Sequence, residues 1–221
     1  MTILEALAAP PVMPPVMRRP LVIACGALAG DLRAILRADG LDEFIDVQYL
    51  PANLHSTPQL IVGALTPLIV AAVTAGRRVF VGYADCGTGG QLDALLAAHP
   101  GVDRLPGAHC YEFFAGSSSF EALQDEELGT FYLTDFLAKH FDALVWGGLG
   151  LDRHPQLRDL YFANYTRVVL LAQVDDDAVT ARAAAAATTL GLRFERRFVG
   201  RDRLAQSLTI RTAMSHSAVS A

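Results

Sequence analysis

Three cysteines, Cys25, Cys86 and Cys110, are the residues of this 221-residue chain whose type and placement best suit chemistry. Cys25 and Cys86 each close an apolar run and are followed by a glycine and then by a helical pattern. A thiol at such a junction emerges at the carboxyl edge of a parallel sheet, where open α/β sheets hold their ligands. The helix that follows favours the thiolate through its dipole. Gly26 and Gly87 would let the backbone approach a ligand closely. Cys110 lies in Gly107-Ala108-His109-Cys110-Tyr111-Glu112, after the next short apolar run, and is expected at the same edge with Tyr111 and Glu112 beside it.

No Cys-x-x-Cys pair is present, which argues against a structural zinc knuckle. Three separate loops that each offer one thiolate suit a four-iron, four-sulfur cluster with one iron left open, or a catalytic zinc with an open position. Cys25, Cys86 and Cys110 are therefore the expected metal ligands. The plainer alternative is that free cysteine is simply a small residue that buries well. His55 and His109 stand ready as a fourth ligand or as general acid and base. Asp85 and His109 could instead serve Cys86 as a nucleophile. The turn Asp85-Cys86-Gly87-Thr88-Gly89-Gly90 has the glycine content of an anion cradle ahead of a helix, so Thr88, Gly89 and Gly90 join the candidate cofactor contacts. It lacks the dinucleotide fingerprint and the lysine of a P-loop.

The elements that must position these residues follow from periodicity. Apolar runs at 21–24, 44–50, 79–83, 102–105, 130–133, 143–146, 168–172 and 192–198 predict strands. Helical patterns at 31–38, 58–75, 90–98, 134–141, 155–162 and 176–190 alternate with them. Such alternation predicts a Rossmann-like α/β fold: a mostly parallel sheet with helices on both faces. The three aspartates at 175–177 read as a helix cap. Residues 1–19 read as a proline-rich arm, 20–200 as one α/β domain and 201–221 as a C-terminal tail.

An internal repeat runs through the first half. Cys25-Gly26, a Gly-x-Leu-x-Ala helix, Gly40-Leu41-Asp42 and Leu50-Pro51 precede His55; Cys86-Gly87, the same helix motif, Gly101-Val102-Asp103 and Leu105-Pro106 precede His109. Two β-α-β units offset by about 60 residues are thus expected, with a third, cysteine-free copy around 143–160.

Composition narrows the function classes. An apolar fraction of 52% with 19% charged residues describes a globular chain with a large core. A net charge of −5 gives no basic field for a nucleic-acid backbone. The longest apolar stretch, 60–75, is too short to span a bilayer and is broken by Pro67. A cytoplasmic protein with reduced thiols, acting on a small molecule and free to form a homo-oligomer, is the expectation.

At Ala24-Cys25-Gly26, 85–90, 106–114 and Gly148-Leu149-Gly150-Leu151-Asp152 the chain resembles the domain of unknown function 1638 family over about residues 20–200. The resemblance implies a setting beside corrinoid-dependent methyltransferases, hence one-carbon or methylamine metabolism, with such a system as partner. It leaves three roles open: a metal-dependent lyase or dehydratase, a binding or delivery protein for a metal or corrinoid-type cofactor, and a zinc-thiolate methyl-transfer protein. By architecture the repeated β-Cys-α-β units also resemble a reduced quinolinate synthase, in which three units each give one cysteine to a four-iron cluster.

Overall fold

Leu21–Cys25 forms strand β1, Ala29–Ala38 helix α1, Asp46–Leu50 strand β2 and Ile61–Thr74 helix α2 in the computed structural model, which describes residues 18–208. Val79–Gly82 (β3), Gln91–Ala97 (α3) and Asp103–Arg104 (β4) complete a first unit. Its four strands are all parallel, in the order β2-β1-β3-β4. Both faces are covered, which is why the inner strands read as unbroken apolar runs. Ile61, Leu65 and Ile69 of α2 and Leu92 of α3 pack on one face, while Leu32 and Ile35 of α1 pack on the other.

The strand order has a direct consequence for function. β1 and β3 lie side by side at the centre, and the chain winds outward from each in opposite directions. That is a topological switch point, where a crevice opens beyond the carboxyl ends of the two central strands. Gly82 lets those strands close up, since a Cβ there would lie 2.6 Å from the Ala24 Cβ.

Cys110–Ala115 (α4) and Ser117–Glu126 (α5) lead into a second unit. It comprises Thr130–Thr134 (β5), Asp135–Lys139 (α6), Arg158–Tyr161 (α7), Arg167–Ala172 (β6), Asp177–Leu190 (α8) and Arg193–Phe198 (β7). These strands form a separate parallel sheet in the order β5-β6-β7. The Asp176 carboxylate accepts hydrogen bonds from the N–H groups of Ala178 and Val179, so the acidic run caps α8 as its sequence suggests. α4 joins the units. Its Phe113 and Phe114 pack on the first, while Tyr111 and Ala115 pack with Phe120 and Tyr132 of the second.

The chain is thus the expected Rossmann-like α/β protein, with its parallel strands divided between two sheets. The two β-α-β copies are present as β1-α1-β2 and β3-α3-β4, with β1 and β3 parallel neighbours. The third copy is not. Residues 143–146, expected as a strand, belong to a π-helical turn, Asp142–Trp146. Leu137, Phe141 and Val145 are buried at a spacing of four, the helical period, and this overrides a short apolar run that periodicity alone cannot assign.

Residues 201–208, expected as the start of a tail, also belong to the fold. Leu204 and Leu208 sit four apart on a helical segment and pack among the α1 and α4 side chains. Arg201 donates to the Asp31 carboxylate of α1 at 2.6 Å, tying the end of the second unit to the first. The arm at 1–17 and the segment 209–221 lie outside the described residues. Among those described, no helix is long and apolar enough to cross a membrane.

Arg167, at the start of β6, is 1% exposed and anchors the far end of the second sheet. It donates to Thr130 Oγ1 at 2.8 Å, the Leu123 carbonyl at 3.1 Å and Glu195 at 3.1 Å, with Glu126 and Glu127 within 3.4 Å. Replacing it leaves three neighbouring carboxylates without their central cation. Arg167→Ala should cost about 3 kcal/mol in urea unfolding, the low end for breaking a buried pair because the carboxylates retain some solvent.

Candidate functional site

All three cysteines line one enclosed cavity at the carboxyl edge of the first sheet. Cys25 ends β1, and Cys86 lies four residues beyond β3. Beyond the strands proper, the Asp85 N–H donates to the Gly107 carbonyl at 3.1 Å and the Cys86 N–H to the Ala108 carbonyl at 2.8 Å. This extension of the β3–β4 pairing draws the 107–110 segment against the Cys86 turn. Cys110, the first residue of α4, thereby faces the same space.

Cys86 is the one non-glycine residue with positive φ, 49°, among those described. Such a backbone is held only where the surroundings over-determine it. Here Asp85 does so. Its carboxylate accepts the Thr88 hydroxyl at 2.6 Å and the N–H groups of Gly90 and Gly89 at 2.9 and 3.1 Å. These bonds hold Asp85 below its usual carboxylate range against some burial. The side chain expected to assist catalysis is therefore engaged in building the turn. The same bonds answer the anion-cradle expectation, since the carboxylate already occupies the N–H groups of Gly89 and Gly90. Thr88 is buried, and its oxygen also accepts from the Leu92 N–H at 3.4 Å.

The other expected cofactor contacts are likewise structural. A Cβ on Gly26 would lie 2.8 Å from the Leu50 carbonyl, so this glycine serves the close approach of β1 and β2. Gly87 has φ +83° and faces Pro58. The Glu112 carboxylate accepts from Ser117 and from the Ala108 N–H at 2.8 Å, which fixes the start of α4 and lowers its pKa. Tyr111 stacks with Tyr132 and Phe120, ring centres 5.6 and 6.4 Å away, between the two units.

His55, in the single-turn helix Ala52–Ser56 after β2, lines the cavity at its solvent side. Surrounding protein and then His109 hold its imidazole below the usual histidine pKa. His109 occupies the matching place after β4 and precedes α4, but it is exposed and does not line the cavity. The wall opposite the cysteines comes from the second unit: Thr134 at the end of β5, Phe136 and Leu137 of α6, and Leu144 of the π-helical turn. A Cβ on Gly148 would strike the Leu144 carbonyl and approach Ser56 Oγ at 3.3 Å, so a glycine there lets that turn close over the His55 segment. Phe136, Leu137 and Leu144 carry no local sequence signal, because their role exists only once the two units dock.

Tyr83 also lay outside the sequence-based candidates, though its place just beyond β3 and three residues before Cys86 is visible in the sequence. It is 2% exposed, lines the cavity, and its buried hydroxyl faces the Cys25 sulfur. The cavity is otherwise walled by apolar side chains, among them Leu28, Ile61 and Phe113, and measures about 30 Å³, enough for one or two waters.

Burial dominates the thiols. It raises Cys25 and Cys110 and, with the neighbouring Cys25, pushes Cys86 up to about 11. The thiolate-favouring helix effect expected from sequence is outweighed, because desolvation disfavours the charged form. Nucleophilic cysteine chemistry, which needs a lowered pKa, is accordingly poorly served. Among the described residues, no three His, Cys, Asp or Glu side chains are grouped closely enough to hold a single metal ion.

These features define an α/β protein with a small, apolar, thiol-lined chamber enclosed between two parallel-sheet units. The chain belongs to the DUF1638 family of proteins of unknown function, whose family model matches residues 49–208. No curated protein and no solved structure matches the chain, so the likeness to quinolinate synthase gains no support.

A buried carboxyl in the second unit offers a measurable pH response. Asp135 Oδ2 accepts the N–H groups of Val174 and Gln173 at 2.9 and 3.2 Å, while Oδ1 is buried without a partner. Burial raises its pKa above the ordinary carboxylate range despite those bonds, Asp31 adds to the rise and Lys139 opposes it. The native state then holds this proton more tightly than the unfolded chain. Its stabilising contribution is complete below the unfolded pKa and is lost as pH rises through the folded value. The unfolding free energy of wild type minus that of Asp135→Asn, measured in urea from acid to neutral pH, should fall with rising pH and then level off.

Proposed function

We propose that the chamber is an iron-sulfur site in which Cys25, Cys86 and Cys110 ligate a four-iron cluster, and that the protein is an enzyme acting on a small molecule bound against the open iron. The observation that carries the reading is that three thiols from three separate loops line one chamber at the carboxyl edge of the sheet.

Each thiolate of a cluster binds a different iron, so its ligands need not crowd a common point, whereas among the described residues no three such side chains are grouped for a single ion. About 30 Å³ is too little space for a cluster, so loading requires the α6 and π-helical wall to draw back.

An iron without a protein thiolate supplies a Lewis acid for lyase or dehydratase chemistry. The residues of the chain supply the rest. Leu28, Phe136, Leu137 and Leu144 exclude water and select a substrate with an apolar portion. His55, its imidazole held below the usual histidine pKa by its surroundings, can take or return a proton at the solvent side.

The test is iron and sulfide per chain after reconstitution with ferrous iron and sulfide in the absence of oxygen. Wild type should bind close to four irons and gain thermal stability by ligand linkage. Each of Cys25→Ser, Cys86→Ser and Cys110→Ser should lose most of that iron, since a hydroxyl is a poor ligand for a soft site. Variants that lose only stability, with the wild type binding no iron, would return the cysteines to the core. Zinc retained in place of iron would replace the cluster by a single ion.

A further inference from the structure

Helix α2 has an outer face that no charged side chain interrupts, since none occurs from Pro58 to Gly76. Ile61, Leu65, Ile69 and Ala72 form its buried stripe. Gly63, Pro67, Val70, Ala71 and Thr74, also spaced by the helical period, form an exposed stripe on the opposite side. A surface helix ordinarily carries charged or polar residues there, and one that is apolar all round has its outer face covered. Among the described residues nothing lies within 4 Å of a Cβ built on Gly63, and Val70 and Val73 are 43% and 39% exposed.

The chain enters the described fold at the C-terminal end of this same helix. Arg77, just past α2, donates from Nε to the Arg19 carbonyl at 2.9 Å, and the Leu21 N–H donates to the Arg78 carbonyl at 2.8 Å. Residues 1–17 therefore arrive beside the foot of α2. Apart from Thr2 and Glu5 they are all apolar or proline, a composition that gains more from an apolar surface than from water. Residues 10–17, Pro-Pro-Val-Met-Pro-Pro-Val-Met, favour the extended polyproline conformation. At about 3.1 Å per residue they reach about 25 Å, and the 14 residues of α2 rise about 21 Å.

We propose that residues 1–17 lie along the outer face of α2 of their own chain, with the proline-rich residues 10–17 covering the exposed stripe. Tethering favours this occupant, because a linked segment meets its face at high effective concentration. A second copy fits less well. One helix face about 21 Å long and 10 Å wide offers about 200 Å², against roughly 800 Å² per partner in a standard interface. The contact also bears on the chamber: α2 begins at Ile61, which lines it, so bracing this helix steadies that part of the wall.

The test uses the full chain with photoreactive p-benzoylphenylalanine in place of Met13. An equal mixture of unlabelled and heavy-nitrogen-labelled protein is irradiated, and the cross-linked peptides are identified by mass spectrometry. Cross-links should fall within residues 60–74 and join light to light and heavy to heavy. In parallel, Val70→Lys puts a charge into the exposed stripe without touching the buried one. It should lower the cross-link yield and speed thermolysin cleavage within 1–17 about tenfold, the effect of losing one buried valine side chain, because cleavage follows the population in which the segment has left the helix. Cross-links away from α2 on a folded chain would overturn the proposal, as would unchanged cleavage in a folded Val70→Lys protein. Light-to-heavy cross-links on α2 would overturn it by giving the face to the arm of a second copy. A dimer that Val70→Lys dissociates, with no arm cross-links to α2, would overturn it by giving the face to a second α2.

Discussion

Two backbone hydrogen bonds, Asp85 N–H to Gly107 and Cys86 N–H to Ala108, hold the site together. β4 itself is only Asp103–Arg104, and β3 ends at Gly82. Without pairing beyond the strands, the segment carrying Cys110 would have no reason to return to the sheet edge. The bonds require an unusual path at 85–90, and that path explains the local composition. Asp85 ties the turn from inside, Cys86 takes a left-handed backbone, and Gly87, Gly89 and Gly90 all have positive φ. The Gln91–Ala97 helix then starts with its first turn already positioned. Residues that look like a ligand cradle are, in the folded protein, the frame that sets one thiol opposite another.

The second constraint is the docking of the two units. The first sheet supplies a crevice at its switch point but does not close it. Closure comes from α6 and the π-helical turn, held by α4 in the middle and by the 201–208 segment at the end, where Arg201 meets Asp31. A site at such a junction can admit a ligand by small movements of one unit against the other, since interfaces repack more readily than continuous cores. π-helical turns recur at functional sites because the extra residue shifts side chains out of the regular helical register. Here the turn puts Leu144 into the chamber wall.

Burial and chemistry pull against each other in the chamber. Apolar walls raise the thiol pKa values and so disfavour the thiolate. The same walls would strengthen any electrostatic interaction made by a charged group there, because the local dielectric is low.

The sequence by itself determined the alternation of strands and helices, the parallel α/β class, the capped start of α8 and the two β-α-β copies with their cysteines at matching ends. Those features rest on hydrophobic period, capping chemistry and composition, all of which act over a few residues. It also marked Cys25 and Cys86, because a strand followed by Cys-Gly and a helix places a side chain at the carboxyl edge whatever the rest of the fold, and Cys110 and His55, by their places after the next short apolar run and in the repeat. It misassigned 143–146, where four apolar residues fit a strand or a buried helix equally, and it read Asp85 as catalytic and Thr88 and Glu112 as cofactor contacts without showing the bonds that each makes to its own turn. Only the tertiary structure decided that the strands split into two sheets, that residues from β5 to Leu144 wall the chamber, and that the Tyr83 hydroxyl is buried beside Cys25. These are contacts between segments far apart in sequence, fixed by which surfaces fit when the units dock, and no local pattern of residue types encodes that fit.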